Sequence, residues 1–400
     1  MSRSTARQMC SWQGPALLSF GFRPFFLLGA IWAALAMLLW ALALAGLLDL
    51  PTRLDPVSWH AHAFLFGYAG AIIAGFLLTA VPNWTGRLPV VGWRLGALAA
   101  LWVLGRVAML TSVHLPPWAA PAVDLAFPLA LGALILREIV AGRNWRNLPV
   151  LGLLAVFAGA SLAFHLDALS GGYAAQGIGL RLGLASVIGM ITLIGGRIVP
   201  SFTRNWLVQR GETRLPAAPM RRFDKIALLL SLPALLAWVV RPQDPVTAML
   251  LLLFAGLHAA RLARWQGLRT RAEPLVWVLH FGYGFVPLGA LALGLASLWP
   301  GLVSPAAAQH VWMAGALGLM TLAVMTRATL GHTGRALTAC PMTVVVYAAL
   351  VMSVLARLFA AALPDQLGLD IAALAWMLGF AVFSVIYGPR LLTRKQPAPA

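Results

Sequence analysis

The sequence predicts an all-α, polytopic integral membrane bundle of about twelve transmembrane helices. Three observations carry that prediction. Of 400 residues, 61% are hydrophobic and only 10% charged, with a mean hydropathy of +0.85. Charge-free runs of about 20 residues recur along the chain, the length an apolar helix needs to cross a bilayer. The cations fall in the short segments between those runs. A soluble chain of this length would divide into two or three domains, but the composition overrides that expectation. The net charge of +18 does not point to nucleic acid, because Lys and Arg are spread over loops rather than gathered on one soluble face. Cys10 and Cys340 are isolated, which offers no disulfide framework, thiolate zinc site or CxxCH haem attachment. The N-terminus, MSRSTARQMCSWQG, lacks a signal-cleavage pattern, so the first span reads as a retained helix.

In order, the spans fall at about 22–48, 59–81, 92–112, 118–140, 147–168, 178–200, 223–240, 245–263, 273–298, 306–327, 338–362 and 367–390. Even-numbered loops and both tails are basic. Arg3 and Arg7 precede the first span, and Arg394 and Lys395 follow the last. The loops between carry Arg87 and Arg94; Arg137, Arg143 and Arg146; Arg204 to Lys225; Arg261 to Arg271; and Arg327 and Arg335. Odd-numbered loops carry Asp49, Asp55, Asp244 and Asp365. This alternation places both termini in the cytoplasm. The basic loop 201–222 separates a first six-helix half, 22–200, from a second, 223–392, within one membrane domain. Transporters share that division.

The first span begins beside Arg23. The second, in WHAHAFLFGYAGAIIAGFLLTAVPNW, carries no charge and opens on His60 and His62. Polar side chains at membrane depth are costly and tend to be functional. In a helix the two histidines point about 200° apart, so one metal ion does not receive both unless the helix starts between them. His60 shares a stripe with Gly67, Ala71, Ala74 and Gly75; His62 sits above the bulkier Phe66, Ala69 and Ile73. Small residues admit a neighbouring helix or a flat cofactor, which makes His60 the candidate for facing an interior site. The plainer alternative leaves both as wet caps near a helix N-terminus.

Spans three to six, eleven and twelve carry charges at depth. Arg106, Arg181 and Arg357 each lie inside the outer half of a span, and each has an aspartate at mirror depth across its outer turn: Asp124, Asp167 and Asp370. Antiparallel helices rise equally per residue, so equal distance from a turn is equal depth. An unpaired charge there is expensive, so three Arg–Asp pairs are expected to tie the hairpins together. Proton relay or anion binding is the competing use. Spans seven and eight are short and punctuated by Pro233, Pro242 and Pro245; span nine carries Pro287 after Gly284.

Five histidines, His60, His62, His114, His165 and His310, fall near outer ends of spans; His258, His280 and His332 lie toward the inner side. Imidazole is the commonest protein ligand for haem iron and copper. A macrocycle between helices needs axial histidines and small neighbours. His60 qualifies, as does His310, whose stripe holds Ala314, Leu317, Gly318 and Thr321. His62 and His165, the latter following Ser161 on one face, are then copper ligands or donors behind them. His280, flanked by Trp277 and Gly284, is a further metal candidate. For any single histidine a hydrogen-bonded interfacial role is the plainer reading; several at one depth favour a metal site. His114 and His258 read as solvated or interfacial.

Four stretches now resemble one known family: GFRPFFLLGA at 21–30, the run from Trp59 through Arg87, RIVPSFTRNW at 197–206, and HVWMAGALGLMTLAVMTRATLGHTGR at 310–335. The chain resembles the NnrS family over essentially its whole length. That resemblance implies a twelve-span bacterial inner-membrane protein carrying haem b and copper and associated with nitric oxide metabolism and nitrosative stress. Matching positions are His60, His62, Asn83, Arg197, Ser201, Arg204, Asn205, His310, Arg327, His332 and Arg335. One departs: the residue after the second histidine is usually Glu in the family and is Ala63 here, which puts metal loading or activity in question.

On this reading His60 and His310 are the leading axial haem ligands, and Arg23 and Arg106 the candidate propionate partners. The inner motif, Arg197, Thr203, Arg204 and Asn205 with Arg327, Thr329, His332 and Arg335, supplies donors suited to an anion or to orphan helix-end carbonyls. The plainer reading has these residues snorkel and fix topology. The expected partners are membrane lipid and nitric oxide or a related small molecule. Two other classes stay open: a secondary transporter for a metal complex or anion, and a non-catalytic membrane sensor or assembly factor.

Overall fold

The computed structural model describes residues 12–86 and 89–394; Arg3, Arg7, Cys10, Arg87 and Lys395 lie outside them. Among the described residues there is no strand, and twelve helices are long and apolar enough to cross a membrane. They are α1 (Phe22–Leu44), α2 (Pro56–Thr85), α3 (Trp93–Leu110), α4 (Ala119–Ala141), α5 (Trp145–Leu169) and α6 (Ile178–Gln209), then α7 (Arg222–Val240), α8 (Pro245–Ala263), α9 (Pro274–Leu298), α10 (Pro305–His332), α11 (Pro341–Leu358) and α12 (Leu367–Leu392). All twelve expected spans are present. The protein is a multi-pass, all-helical membrane-type chain.

The helix starts have a local cause. Asp55, Asp244 and Ser304 each accept a backbone N–H of the first turn, and each is followed by proline at the first helical position. Glu273 does the same ahead of Pro274. A capping oxygen satisfies an orphan donor, and proline there forfeits no helical hydrogen bond. In the eighth span Pro245 opens α8 for the same reason, whereas α7 continues through an interior Pro233. Span eleven starts later than expected, at Pro341, and ends earlier, at Leu358.

Three helices depart from regular α geometry. Helices α2, α6 and α10 are 30, 32 and 28 residues long, well beyond the roughly 20 a bilayer requires. Each contains a π-helical segment: Ala63–Tyr68, Ile191–Gly195 and Val311–Leu319. Wider turns of this kind release backbone carbonyls and occur often at functional sites. By contrast α9 runs unbroken through Pro287.

The chain forms two compact units, one comprising Met1–Gly183, Thr329–Arg335 and Phe380–Ala400, the other Leu184–Ala328 and Ala336–Gly379. In the first, α1 packs on α2, α3 on α4, and α4 on both α2 and α5. Its centre is aromatic, with Phe25 against Phe127 and Phe66 against Phe157 and Phe164. In the second, α8 lies between α7 and α9, and α9 packs on the π segment of α10.

Candidate metal centre

The first unit brings three potential ligands together. His62 sits at the junction where α2 passes from α to π geometry, Asp124 lies about one turn into α4, and His165 lies about one turn from the end of α5. His62 Nε2 and His165 Nε2 each stand 3.0 Å from the same oxygen, Asp124 Oδ2. The three ligand atoms all fall within 4.8 Å of one another, and all three residues are buried. Ligands about 2.0–2.1 Å from an ion are themselves about 3 Å apart, so the spacing suits a small transition-metal ion. Two imidazoles and a carboxylate are a donor set for copper, zinc or iron.

Neighbouring groups hold this arrangement. Arg106 Nη2 pairs with Asp124 Oδ1, the other carboxylate oxygen. Ser161 Oγ lies 3.4 Å from Oδ2. Phe66 and Phe164 pack on the His62 ring at 5.4 and 5.5 Å, which keeps the imidazoles in a dry shell. The π segment contributes indirectly. The carbonyls of Ala63 and Gly67 accept indole N–H bonds from Trp32 on α1 and Trp102 on α3, at 2.9 and 3.0 Å. The two tryptophans thus satisfy backbone groups in the distorted turns below His62. Trp102 also stacks under the Arg106 guanidinium, 5.6 Å from its ring centre.

The histidine preference read from the sequence is reversed. His62, on the bulkier stripe, is the buried member of the pair; His60 is part-exposed, with its ring against Trp40 at 4.3 Å and Phe64 at 4.8 Å. The small residues below His60 make room for this chain's own side chains. A Cβ at Gly67 would fall 2.5 Å from Arg106 Nη1 and 2.9 Å from Trp32 Nε1, and one at Gly75 would meet Phe26 at 2.8 Å. On the His310 stripe, Gly318 is filled likewise by Trp376. His310 itself bonds Ala306 O at 2.7 Å through Nδ1.

The remaining candidates disperse. Arg23 caps the end of α12, donating from Nη1 to the carbonyls of Leu391 and Thr393 at 2.7 and 2.6 Å, which satisfies orphan groups at a helix end. His280 belongs to the second unit, where Nε2 and Thr203 Oγ1 are 2.7 Å apart and the ring lies against Gly267. Asp167 is in electrostatic contact with Arg181, whose Nη1 donates to Gln176 O. Among the described residues no ion pair joins Arg357 to Asp370. Asp370 is exposed, and Arg357 acts electrostatically on His310 instead. Equal depth fixes the level of a charge but not the direction it faces.

Of the inner motif, Ser201 Oγ returns to Arg197 O at 2.7 Å, and Arg327 stacks over Phe202 at 4.3 Å. Arg204, Asn205 and Arg335 are exposed, and His332 packs against Phe20 and Phe22. Sequence reasoning overlooked a second buried cluster. Arg261 Nε donates to Asp224 Oδ1 at 2.7 Å, and its Nη1 reaches Thr192 O at 2.8 Å and Tyr283 Oη at 3.1 Å. His258 bridges Tyr283 Oη and Ser231 Oγ at 2.7 and 2.8 Å.

A family model described as NnrS protein matches residues 16–395 of this chain. No curated protein matches it.

Proposed function

The chain belongs to the NnrS family, and from that membership we propose that it is a copper-binding protein of the bacterial inner membrane that acts in the response to nitric oxide. The observation that carries the metal assignment is the convergence of His62, His165 and Asp124, whose ligand atoms lie within 4.8 Å of one another in a buried setting. Bound there, copper would supply a one-electron couple and a position for a small ligand such as nitric oxide or a nitrosylated species. The residues do the rest. With a metal bound, each imidazole would carry its single proton on Nδ1 and offer the Nε2 lone pair as a neutral ligand. Arg106 fixes the carboxylate by holding its second oxygen, an outer contact of the kind that orients metal ligands. Phe66 and Phe164 exclude water. Ala63, where the family resemblance leads one to expect Glu, offers no side-chain donor; its carbonyl is bound by Trp32. Haem b enters only through the family resemblance. No step is assigned to it.

Elemental analysis of the purified protein, with its optical spectrum before and after nitric oxide, tests this reading. Copper should be present and fall to background in His62→Ala and in His165→Ala, while far-ultraviolet circular dichroism stays helical. Copper retained at wild-type level in both variants would defeat the assignment. A second reading, a secondary transporter, draws on the interruption of α2, α6 and α10 by π segments. Substrate uptake by vesicles holding metal-free protein would favour it.

A further inference from the structure

The hydrogen bonds of the buried cluster in the second unit have a fixed direction. Ser231 Oγ carries one proton and donates it to Ala227 O at 2.6 Å, so in its 2.8 Å contact with His258 the ring Nε2 is the donor. A neutral imidazole has a single N–H, which leaves Nδ1 as a bare lone pair. Tyr283 Oη stands 2.7 Å from that lone pair and already accepts an N–H from Arg261 Nη1 at 3.1 Å. The phenol proton therefore points at His258 Nδ1. Both side chains are fully buried. Arg261 is neutralised by Asp224, whose Oδ1 its Nε reaches at 2.7 Å. Its Nη1 also donates to Thr192 O, in the π segment of α6, the kind of irregularity often found at functional sites.

The phenol also belongs to a file of rings. Trp265 stands edge-on to Tyr283 with ring centres 4.6 Å apart. On the other side His258 lies 4.2 Å from Phe254, Phe254 6.1 Å from Trp312, and Trp312 5.3 Å from Trp238. All of these rings are buried. Trp238 sits near the end of α7, close to the turn into α8, and Trp265 follows the far end of α8, so the file runs the length of that helix. Core packing accounts for rings in contact. It does not account for a phenol aimed at an unprotonated imidazole. A phenol that loses an electron becomes a strong acid, and a base already at hydrogen-bond distance takes the proton in the same step.

We propose that Tyr283 is a redox-active tyrosine, a one-electron relay with His258 as its proton acceptor. In the forward step Tyr283 loses one electron, by way of Trp265, to a one-electron oxidant of the class of high-valent transition-metal complexes. Its phenolic proton passes to His258 Nδ1. The products are the neutral tyrosyl radical, an imidazolium still bonded to Ser231, and the oxidant reduced by one electron. A one-electron reductant reverses the step, and the proton returns to Oη. Asp224 cancels the guanidinium, so the imidazolium is the single charge added, and its Nε2–H already has an acceptor in Ser231 Oγ. These residues all belong to the second unit, and the inference does not depend on the copper reading.

Of the five tyrosines, Tyr173 is exposed, so the test uses full-length protein carrying Tyr173→Phe to remove oxidation at the surface. Photogenerated tris(bipyridine)ruthenium(III) supplies the oxidant, and the radical is followed by transient absorption and electron paramagnetic resonance. A neutral tyrosyl radical should form in this parent and be lost when Tyr283→Phe is added. Its formation should slow by about a hundredfold in His258→Gln, which keeps a hydrogen-bond acceptor but not a base, the usual worth of a positioned proton acceptor. Trp265→Phe should slow it as well. Pulsed resonance on the parent grown with isotopically labelled histidine should show the radical coupled to a ring nitrogen, a readout that needs no variant at His258. Absence of a tyrosyl radical in the parent overturns the proposal, as does a radical undiminished by Tyr283→Phe. So does a radical without histidine coupling, whatever the stability of the His258 variant.

Discussion

Two buried clusters, one in each compact unit, are built from nearly the same residue types and do different things with them. At Asp124 an arginine takes one carboxylate oxygen and two imidazole nitrogens converge on the other, each at 3.0 Å. At Asp224 an arginine takes Oδ1 at 2.7 Å, but Oδ2 accepts the backbone N–H of Arg221 at 3.1 Å. His258 in the same cluster spends both ring nitrogens on Ser231 and Tyr283. The first arrangement gathers lone pairs around one point. The second strings them into a chain, Asp224–Arg261–Tyr283–His258–Ser231, which leaves only Arg261 Nη2 of its guanidinium nitrogens without a partner. An acid, an arginine and a histidine in a membrane span therefore do not by themselves make a metal site; convergence does.

The largest expected effect tests what the clusters share. Asp124→Ala and Asp224→Ala each strand a buried arginine, and removing one member of a buried pair costs about 3–5 kcal/mol. Thermal unfolding in detergent should register both variants with losses of similar size. Asp224→Ala also removes the capping contact with the Arg221 N–H, so a clearly smaller loss there would show that the second pair is not an energetic counterpart of the first.

How much of this was legible in the sequence differs between the clusters. Twelve spans could be read because charge-free runs and basic loops alternate. The level of Arg106 and Asp124 could be read because residues equally far from a turn lie equally deep. The same rule would have found Asp224 and Arg261, which are equally distant along their helices from the turn between Val240 and Pro245. They escaped because both lie near helix ends on the basic side, where Arg261 reads as one more loop cation. Azimuth was the unreadable quantity. A helical wheel states which residues share a stripe, not which stripe faces inward. In α2 the π segment after His62 further changes the angle per residue, so the buried stripe of Gly67 and Gly75 does not extrapolate back to His60. The same gap separates Arg357 from Asp370. The tryptophans that serve the π carbonyls, Trp32 and Trp102, left no sequence signal beyond being apolar.

A second substitution sharpens the contrast from the other unit. Tyr283→Phe removes the hydroxyl that joins Arg261 to His258, and an unsatisfied buried partner costs about 1–3 kcal/mol. Stability should fall by that amount while copper content is unchanged. Loss of copper would mean that the chain at Asp224 is coupled to the metal rather than merely structural.

The smallest effect probes the one hydroxyl common to the comparison. Ser161 at the first cluster and Ser231 at the second both approach a functional group, but on different terms. Ser231 Oγ lies 2.8 Å from His258 Nε2 and 2.6 Å from Ala227 O, a short bonded position between a ring and a helix carbonyl. Ser161 Oγ stands 3.4 Å from Asp124 Oδ2, an oxygen already approached by two imidazoles. At that distance the bond is near the limit of geometry and contributes little. Ser161→Ala should therefore lower stability by no more than about 0.5 kcal/mol, below the usual net value of a hydrogen bond, whereas Ser231→Ala should cost about 1–3 kcal/mol through the orphaned imidazole. Metal loading reverses their relevance. Once an ion replaces the Nε2 protons, Oδ2 loses its two imidazole donors, and Ser161 is left as the hydroxyl beside it. The copper-loaded protein should then be more sensitive to Ser161→Ala than the metal-free protein, while Ser231→Ala should cost the same in both. Equal sensitivity to Ser161→Ala with and without copper would place the ion somewhere other than Asp124.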